Sequence, residues 1–488
     1  MASFVPPPAN PVANPAAPQQ PPAAVPMVPP GAVAAPLPPA VVPTVNPPQT
    51  SEELTAKLQK LALERQKGQL ADRLKVVQAN PNSHLTSMTT FQEMNLPPHL
   101  LNGIFGMGFE KPSAIQAYSL PRILATPPMN LIAQAQSGSG KTAAFVLGML
   151  YRVAVDSPAT TQALCVTPTR ELAVQIVQNC LAPMSANVEG LRTRMGVSGE
   201  MVDRSAGVGA HIVVGTPGKV CDWLKKRLID ARTVKVLVMD EADEMCNESS
   251  HRTNSLLIKK QMPAACQCLF FSATFPGPVL DFATKLVGSA DKILLQSDEE
   301  LVLDVIKQIW VDTGSYPGGK RQFLGDMYGL LEVGQSIVFV ETRREADEVT
   351  EELTRLGLSC SVLHSKVENT ERDGLMSRFR SGHAKVLIAT NVLARGVDVD
   401  DVCMVVNYDV PRCKDAGTGA WAPDHETYLH RIGRTGRFGR KGTAVNLVQD
   451  EGSKRTLAAI EQHFSPGREM IEECKADIEE LADKVNIG

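Results

Sequence analysis

The chain has 488 residues, 49 Lys and Arg against 53 Asp and Glu, a formal net charge of −4 and 43% hydrophobic residues. At roughly 100–200 residues per domain this allows two or three domains with real cores, and it excludes a wholly disordered chain. The slight acidity argues against holding nucleic acid by bulk charge, while leaving room for a local basic cleft.

Seventeen of the 35 prolines lie in residues 1–50, which contain no Asp, Glu, Lys or Arg. Such an arm cannot bury a core. Disorder or polyproline II is its expected state, as a passive solvated tail or as a ligand for a Pro-binding module. No basic segment precedes an apolar h-region and no run of 18 apolar residues occurs, so neither secretion nor membrane spanning is expected. The ten cysteines stand singly apart from Cys266-x-Cys268. Without CxxC pairs they suit a reduced intracellular compartment and offer no zinc site.

From Ser51 to Gln78 apolar residues recur at helical steps (Leu54, Leu58 and Leu61, then Leu70, Leu74 and Val77), interrupted by Gly68. The spacing predicts a helical extension over 51–84 that docks on the body. Beyond residue 85, short β-branched runs alternate with amphipathic stretches, the pattern of βαβ units and a parallel sheet. The runs are Asn130–Ala133, Ala163–Val166, His211–Val214, Val234–Met239 and Cys268–Phe271, then Ser336–Val340, Cys360–Leu363, Lys385–Ala389, Met404–Asn407 and Thr443–Val448. A helix fits at Glu345–Leu356. The two sets predict two tandem α/β domains, 85–296 and 321–488, joined by a linker and first strand region at 297–320. Residues 461–488 carry eight acids and three bases, net −5, which leaves +1 for residues 1–460. Ile471, Cys474, Ile478, Leu481 and Val485 predict a terminal helix there with one apolar face.

In open parallel sheets, ligands bind at the carboxyl ends of the strands. Polar clusters follow the runs directly at Gln134–Thr142, Thr167–Gln175, Gly215–Lys219, Asp240–Asp243 and Ser272–Thr274, and again at Glu341–Arg343 and Thr390–Asp398. The strongest local signal is Ala135-Gln136-Ser137-Gly138-Ser139-Gly140-Lys141-Thr142, between a strand and a helix. Glycines let backbone N–H groups curl around phosphate oxygens, Lys141 reaches the β/γ-phosphates and Thr142 holds Mg²⁺. Asp240-Glu241-Ala242-Asp243 alone would read as a solvated acidic turn. Beside a phosphate loop, Asp240 can hold the metal and Glu241 can orient the attacking water. Tyr428–Lys441 holds five Arg/Lys and no acid. Such a run is ordinarily a solvated face, but Arg434 and Arg437 each follow a glycine and can converge on one γ-phosphate. They lie in the other domain from Lys141, so ATP would bridge the two domains and favour closure.

Together these residues resemble the DEAD-box RNA helicases of superfamily 2, over roughly residues 91–465. Gly108-Phe109-x-x-Pro112-x-x-Ile115-Gln116 is similar to the family's adenine-reading motif, with Phe109 stacking and Gln116 hydrogen-bonding. The resemblance implies RNA-backbone contacts at Pro168, Thr169, Arg170, Thr216, Gly218, Thr342, Arg343, Thr390 and Arg395. It implies a nucleotide contact at Asp398 and coupling of hydrolysis to lobe movement through Asp243, Ser272, Thr274 and His430. A closer likeness, to the family's nuclear-pore mRNA-export helicases, rests on Asn80-Pro81-Asn82-Ser83, on residues 127–147 and on Val406-Asn407-Tyr-Asp409-Val-Pro411 leading to His425-Glu426-Thr427-Tyr428-Leu-His430. Departures are the insertion at Lys414–Ala422, the Pro/Ala arm, Lys219 where Arg is common, and His364-Ser365-Lys366.

The resemblance implies two RecA-like domains closing over ATP, Mg²⁺ and single-stranded RNA, in a monomer that hydrolyses ATP and remodels mRNA–protein particles. It implies a place in cytoplasm and nucleus, at the cytoplasmic face of the nuclear pore. The implied partners are a pore-filament nucleoporin and an inositol-hexakisphosphate-bound activator. A general helicase of translation initiation or mRNA decay, an ATP-gated RNA clamp and a DNA helicase share the motifs. Residues 51–78 are expected either to wedge between the lobes and restrain the ATPase, or to pack on the surface.

Overall fold

The computed structural model describes residues 74–79, 85–136, 138–155, 158–247, 249–295, 306–331, 333–391, 402–414, 419–436 and 441–486. The arm at 1–50 and the expected extension at 51–73 lie outside them.

The first lobe is built on β1 (Leu74–Val77), β2 (Leu131–Gln134), β3 (Ala163–Val166), β4 (Thr193–Gly196), β5 (Ile212–Gly215), β6 (Val236–Asp240), β7 (Gln267–Ser272) and β8 (Asp291–Leu295). Their order across the sheet is β1-β8-β2-β7-β6-β3-β5-β4, and only the β1–β8 pair is antiparallel. The second lobe holds β9 (Ile306–Asp312), β10 (Gln335–Phe339), β11 (Cys360–Leu363), β12 (Val386–Ala389), β13 (Val402–Asn407), a hairpin of β14 (Arg412–Lys414) and β15 (Trp421–Pro423), then β16 (Gly442–Val448) and β17 (Glu472–Cys474). Its main sheet is all parallel in the order β11-β12-β10-β13-β16-β9-β17.

Continuous apolar strands follow from helices on both faces. In β2 and β3, Leu131, Ala133, Ala163 and Cys165 enter one core layer, while Ile132, Leu164 and Val166 enter the other. All ten predicted runs are strands, and the helix expected at Glu345–Leu356 spans Arg343–Arg355, opened by a Thr342–Glu345 capping box.

Two helical readings are corrected. Leu74 and Val77 belong to strand β1, whose edge is tied down by Asp291: its Oδ1 accepts from Ala79 N at 2.8 Å and its Oδ2 from Arg122 Nε at 2.9 Å. Arg122 and Asp291 are fully buried, and Arg122 also donates to the Tyr118 and Leu85 carbonyls. This completes the pairing that a buried charge requires. The acidic terminus is no single helix either. Cys474 lies in β17, which extends the second sheet beside β9, and the helix begins at Ile478, where Asp477 Oδ1 accepts from Glu479 N at 2.9 Å. Ile471 and Leu481 consequently enter different cores.

Candidate active site

The loop after β2 turns through Gly138 (φ 76°) and Gly140 (φ 99°), the left-handed region that glycine adopts without strain. A Cβ on Gly140 would lie 2.6 Å from Gln116 Nε2, so that glycine is required twice over. The helix Lys141–Arg152 begins immediately after it, presenting its N-terminus to the loop. Lys141 is buried, with Nζ donating to the Ala135 carbonyl and, at 3.1 Å, to that of Gln136. The ammonium is thereby curled over the loop where a phosphate would sit. Ser139 Oγ is buried without a hydrogen-bond partner, while Thr142 is half-buried at the first turn.

Gln116 locks this loop to the preceding helix. Its Oε1 accepts from Ser113 N at 2.9 Å, and its Nε2 donates to the Gly140 carbonyl at 3.0 Å. Phe109 is half-buried against the same core.

Asp240 ends β6 and Glu241 follows with φ 49°, a left-handed conformation that a side-chain-bearing residue rarely adopts. Such strain concentrates at functional sites. Both carboxylates are buried. Burial first, and the adjacent Glu241 carboxylate second, push the Asp240 carboxyl well above its ordinary range, with nearby Lys141 opposing them. Glu241 Oε2 is buried without any hydrogen-bond partner. A buried ammonium over a glycine loop at a helix N-terminus, beside a buried carboxylate pair in which Asp240 is pushed up by burial and by its neighbour, fits a nucleotide phosphate chain with a divalent cation.

The lobes meet directly at this site. Asp243 Oδ2 accepts from Thr274 Oγ1 at 2.8 Å and lies 3.2 Å from Nε2 of His430, on the second-lobe helix His425–Ile432. Ser272 Oγ in turn accepts from Thr274 N at 3.3 Å. Glu241, Asp243 and His430 place one ligand atom each within 4.8 Å of one another. Arg434 is buried, with Nε donating to the His430 carbonyl at 2.9 Å. Arg431 is fully buried and bonds Asn407, Asn391 and the Asp409 carbonyl, so that member of the basic run is a structural tie. Burial lowers its guanidinium to about 10.

The DEAD/DEAH box helicase family model matches residues 113–282 and the helicase conserved C-terminal domain model residues 319–439. The ATP-dependent RNA helicase DBP5 of Meyerozyma guilliermondii is 46% identical over 389 residues, 80% of this chain and 78% of that protein. This chain belongs to the DEAD-box ATP-dependent RNA helicases. Among solved structures, S. cerevisiae Dbp5 bound to RNA and ADP BeF3 superposes with TM-score 0.75 at 40% identity, covering 82% of this chain and all of that one. A variant of S. cerevisiae Dbp5 bound to Nup159, Gle1, IP6 and ADP gives TM-score 0.55 at 37% identity, with 81% of this chain and all of that chain covered.

The helicase is thus an RNA-dependent ATPase of two RecA-like domains. Its motif residues expected on RNA fall into two groups. Thr342 and Arg343 are exposed at the end of β10, Gly218 is exposed, and Thr216 is half-buried. Thr169 caps its own helix by accepting from Leu172 N at 3.3 Å, Arg170 pairs across the lobes with Asp373, and Pro168 and Thr390 are buried. Lys219, which stands where Arg is common, donates to the Glu200 carbonyl at 2.8 Å. Ser137, Arg395, Asp398 and Arg437 lie outside the described residues.

One element escaped the sequence reading. Arg372 Nη1 donates to Glu171 Oε1 at 2.7 Å, joining the helix Asn369–Arg380 of the second lobe to the helix Arg170–Gln175 of the first. Both side chains are buried. In sequence Arg372 is an ordinary charged residue among Asn369-Thr-Glu-Arg-Asp373, and nothing there separates it from a solvated helix face.

Proposed function

We propose that this helicase remodels RNA and mRNA–protein complexes during mRNA export, at the cytoplasmic face of the nuclear pore. The observation that carries the mechanism is the shared carboxylate of Asp243, which holds Thr274 of its own lobe and His430 of the other. Hydrolysis beside Glu241 and separation of the lobes then act on one hydrogen-bonded unit. The place in export rests on the likeness to Dbp5, a variant of which is held in a solved complex by Nup159, Gle1 and IP6. By that likeness the partners are a pore-filament nucleoporin and an inositol-hexakisphosphate-bound activator.

In this reading Phe109 and Gln116 bind adenine and residues 136–140 cradle the phosphates. Lys141 reaches the β/γ-phosphates, and Asp398, Arg434 and Arg437 approach from the second lobe. Thr142 and Asp240 would hold Mg²⁺, which when bound neutralises phosphate charge. Glu241 takes its otherwise unanswered oxygen to the attacking water and orients it. Pro168, Thr169, Arg170, Thr216, Gly218, Thr342, Arg343, Thr390 and Arg395 hold the backbone of single-stranded RNA. Both ligands favour the closed state, so each tightens the other by the same factor.

ATP hydrolysis measured with RNA, with DNA and with the pore partners tests the proposal. RNA is expected to stimulate phosphate release, DNA to fail, and the activator to raise the rate further. Stimulation by RNA without any response to pore partners would favour a role in translation initiation or mRNA decay. Stable RNA binding without phosphate release would identify an ATP-gated clamp.

Gln116→Ala removes one bond to Ser113 and one to Gly140 as well as the adenine contact. About 0.5–1.5 kcal/mol per bond predicts ATP affinity falling by roughly tenfold or more, with discrimination against GTP lost as well. Titration with fluorescent nucleotides checks this.

A further inference from the structure

Between β13 and the helix His425–Ile432 the chain forms the hairpin β14–β15, in which Arg412 is opposite Pro423 and Lys414 opposite Trp421. Side chains alternate along a strand, so Arg412 and Lys414 share a face, and Trp421 joins them from across the ladder. The Arg412 guanidinium carbon lies 4.6 Å from the Trp421 ring centroid and Lys414 Nζ 5.4 Å from it. Arg412 also grips Glu341, with Nη2 donating to Oε2 at 2.8 Å and Nε to each carboxylate oxygen at 3.2 Å. Glu341 immediately precedes Thr342 and Arg343. The hairpin is therefore braced against the segment that carries two of the expected RNA contacts.

Trp421 nevertheless remains 53% exposed. An indole is ordinarily placed where its large apolar surface is covered. Here cation–π contacts fix the ring and no apolar core covers it. Lys414 makes no ion pair among the described residues and Arg412 is matched by Glu341, so the rim is polar with one unmatched cation. A protein partner's apolar anchor would leave the Lys414 ammonium unanswered, whereas a nucleobase needs only a π-face, and its phosphate suits that ammonium.

We propose that Trp421, backed by Arg412 and Lys414, is a stacking platform for a base of single-stranded RNA that extends past the Thr342–Arg343 segment. This rests on the RNA-binding reading above. It adds a contact that lengthens the footprint on the second lobe, and it makes the enzyme prefer strands long enough to reach the hairpin.

The test uses the full chain with a non-hydrolysable ATP analogue and two single-stranded RNAs, of about 5 and about 16 nucleotides, within the span that single-strand-binding modules cover. Wild type is expected to bind the longer RNA more tightly. Trp421→Ala should lose roughly tenfold on the longer RNA and little on the shorter, and Trp421→Phe, which keeps a π-face, should recover most of the loss. Thermal melting monitors folding of both variants. Equal binding of both RNAs by wild type and Trp421→Ala overturns the proposal, also where the variant loses a protein partner instead. An equal loss on both lengths overturns it too, because the ring would then act by bracing Glu341. If wild type binds neither RNA, the RNA reading itself fails and this inference with it.

Discussion

Glu241→Gln is expected to keep ATP and RNA binding within a few-fold of wild type and to lower turnover by about 10²–10⁴-fold, the usual weight of a group that handles a proton or positions its acceptor. The substitution preserves shape and leaves the left-handed backbone at φ 49° as it is. It replaces a buried carboxylate oxygen that has no hydrogen-bond partner among the described residues with a group that can donate. The phosphate loop and Asp243 are untouched, so the lobes still close on both ligands and the complex persists. Glu241 is also the second cause that pushes Asp240 up. Its neutralisation brings the Asp240 carboxyl back toward its ordinary range and relieves repulsion in the ligand-free protein, so the melting temperature should hold or rise. Nucleotide titration, single-turnover phosphate release and a melting curve read the three effects. Loss of ATP binding would sink the assigned role.

The main strands were legible because parallel strands buried on both faces are continuous apolar runs, and the chemistry follows them directly at their carboxyl ends, as at Val236–Asp240. Three edge strands were not, although the edge strand β11 at Cys360–Leu363 was. Thr193–Gly196 is a Thr-Arg-Met-Gly run with a half-exposed face, Glu472–Cys474 is acidic, and Leu74–Val77 continues a helical spacing. Each is a strand because a neighbour supplies a ladder, which no local pattern records. The same holds within the site. The spacing of glycines and Lys141 announces a phosphate loop on its own, because the function lies in the local backbone. That Gln116 also clamps Gly140, that Lys219 is committed to the Glu200 carbonyl, and that Arg431 is a buried tie while Arg434 turns back to the His430 carbonyl are facts about partners, and partners come from the fold. The acidic tail shows the limit of periodicity: Ile471, Cys474, Ile478, Leu481 and Val485 keep helical spacing across a strand, a turn and a helix.

Arg372→Ala is expected to lower RNA affinity by about 10²–10³-fold in the presence of a non-hydrolysable ATP analogue and to change it little without nucleotide. Arg372 donates to the His364 and Val367 carbonyls of its own lobe, at 2.9 and 3.0 Å, and presents the remaining nitrogen to Glu171. Removing one member of a buried pair leaves the other charge uncompensated, at a cost of about 3–5 kcal/mol. That cost falls on the closed arrangement alone, because Glu171 regains water when the lobes part. It therefore appears as a loss of coupling between the two ligands, a readout that general destabilisation would not move. Glu171→Ala should act similarly. The double variant should bind better than the summed single losses predict, because no charge is then stranded. The neighbouring Arg170–Asp373 pair provides the contrast: the Asp373 side chain is 58% exposed, so that contact is screened by salt and contributes about 1 kcal/mol or less. Raising ionic strength should erase the effect of Asp373→Ala on coupling and leave most of the Arg372→Ala effect in place. Strictly additive losses at Arg372 and Glu171 would show that the pair does not hold the lobes together.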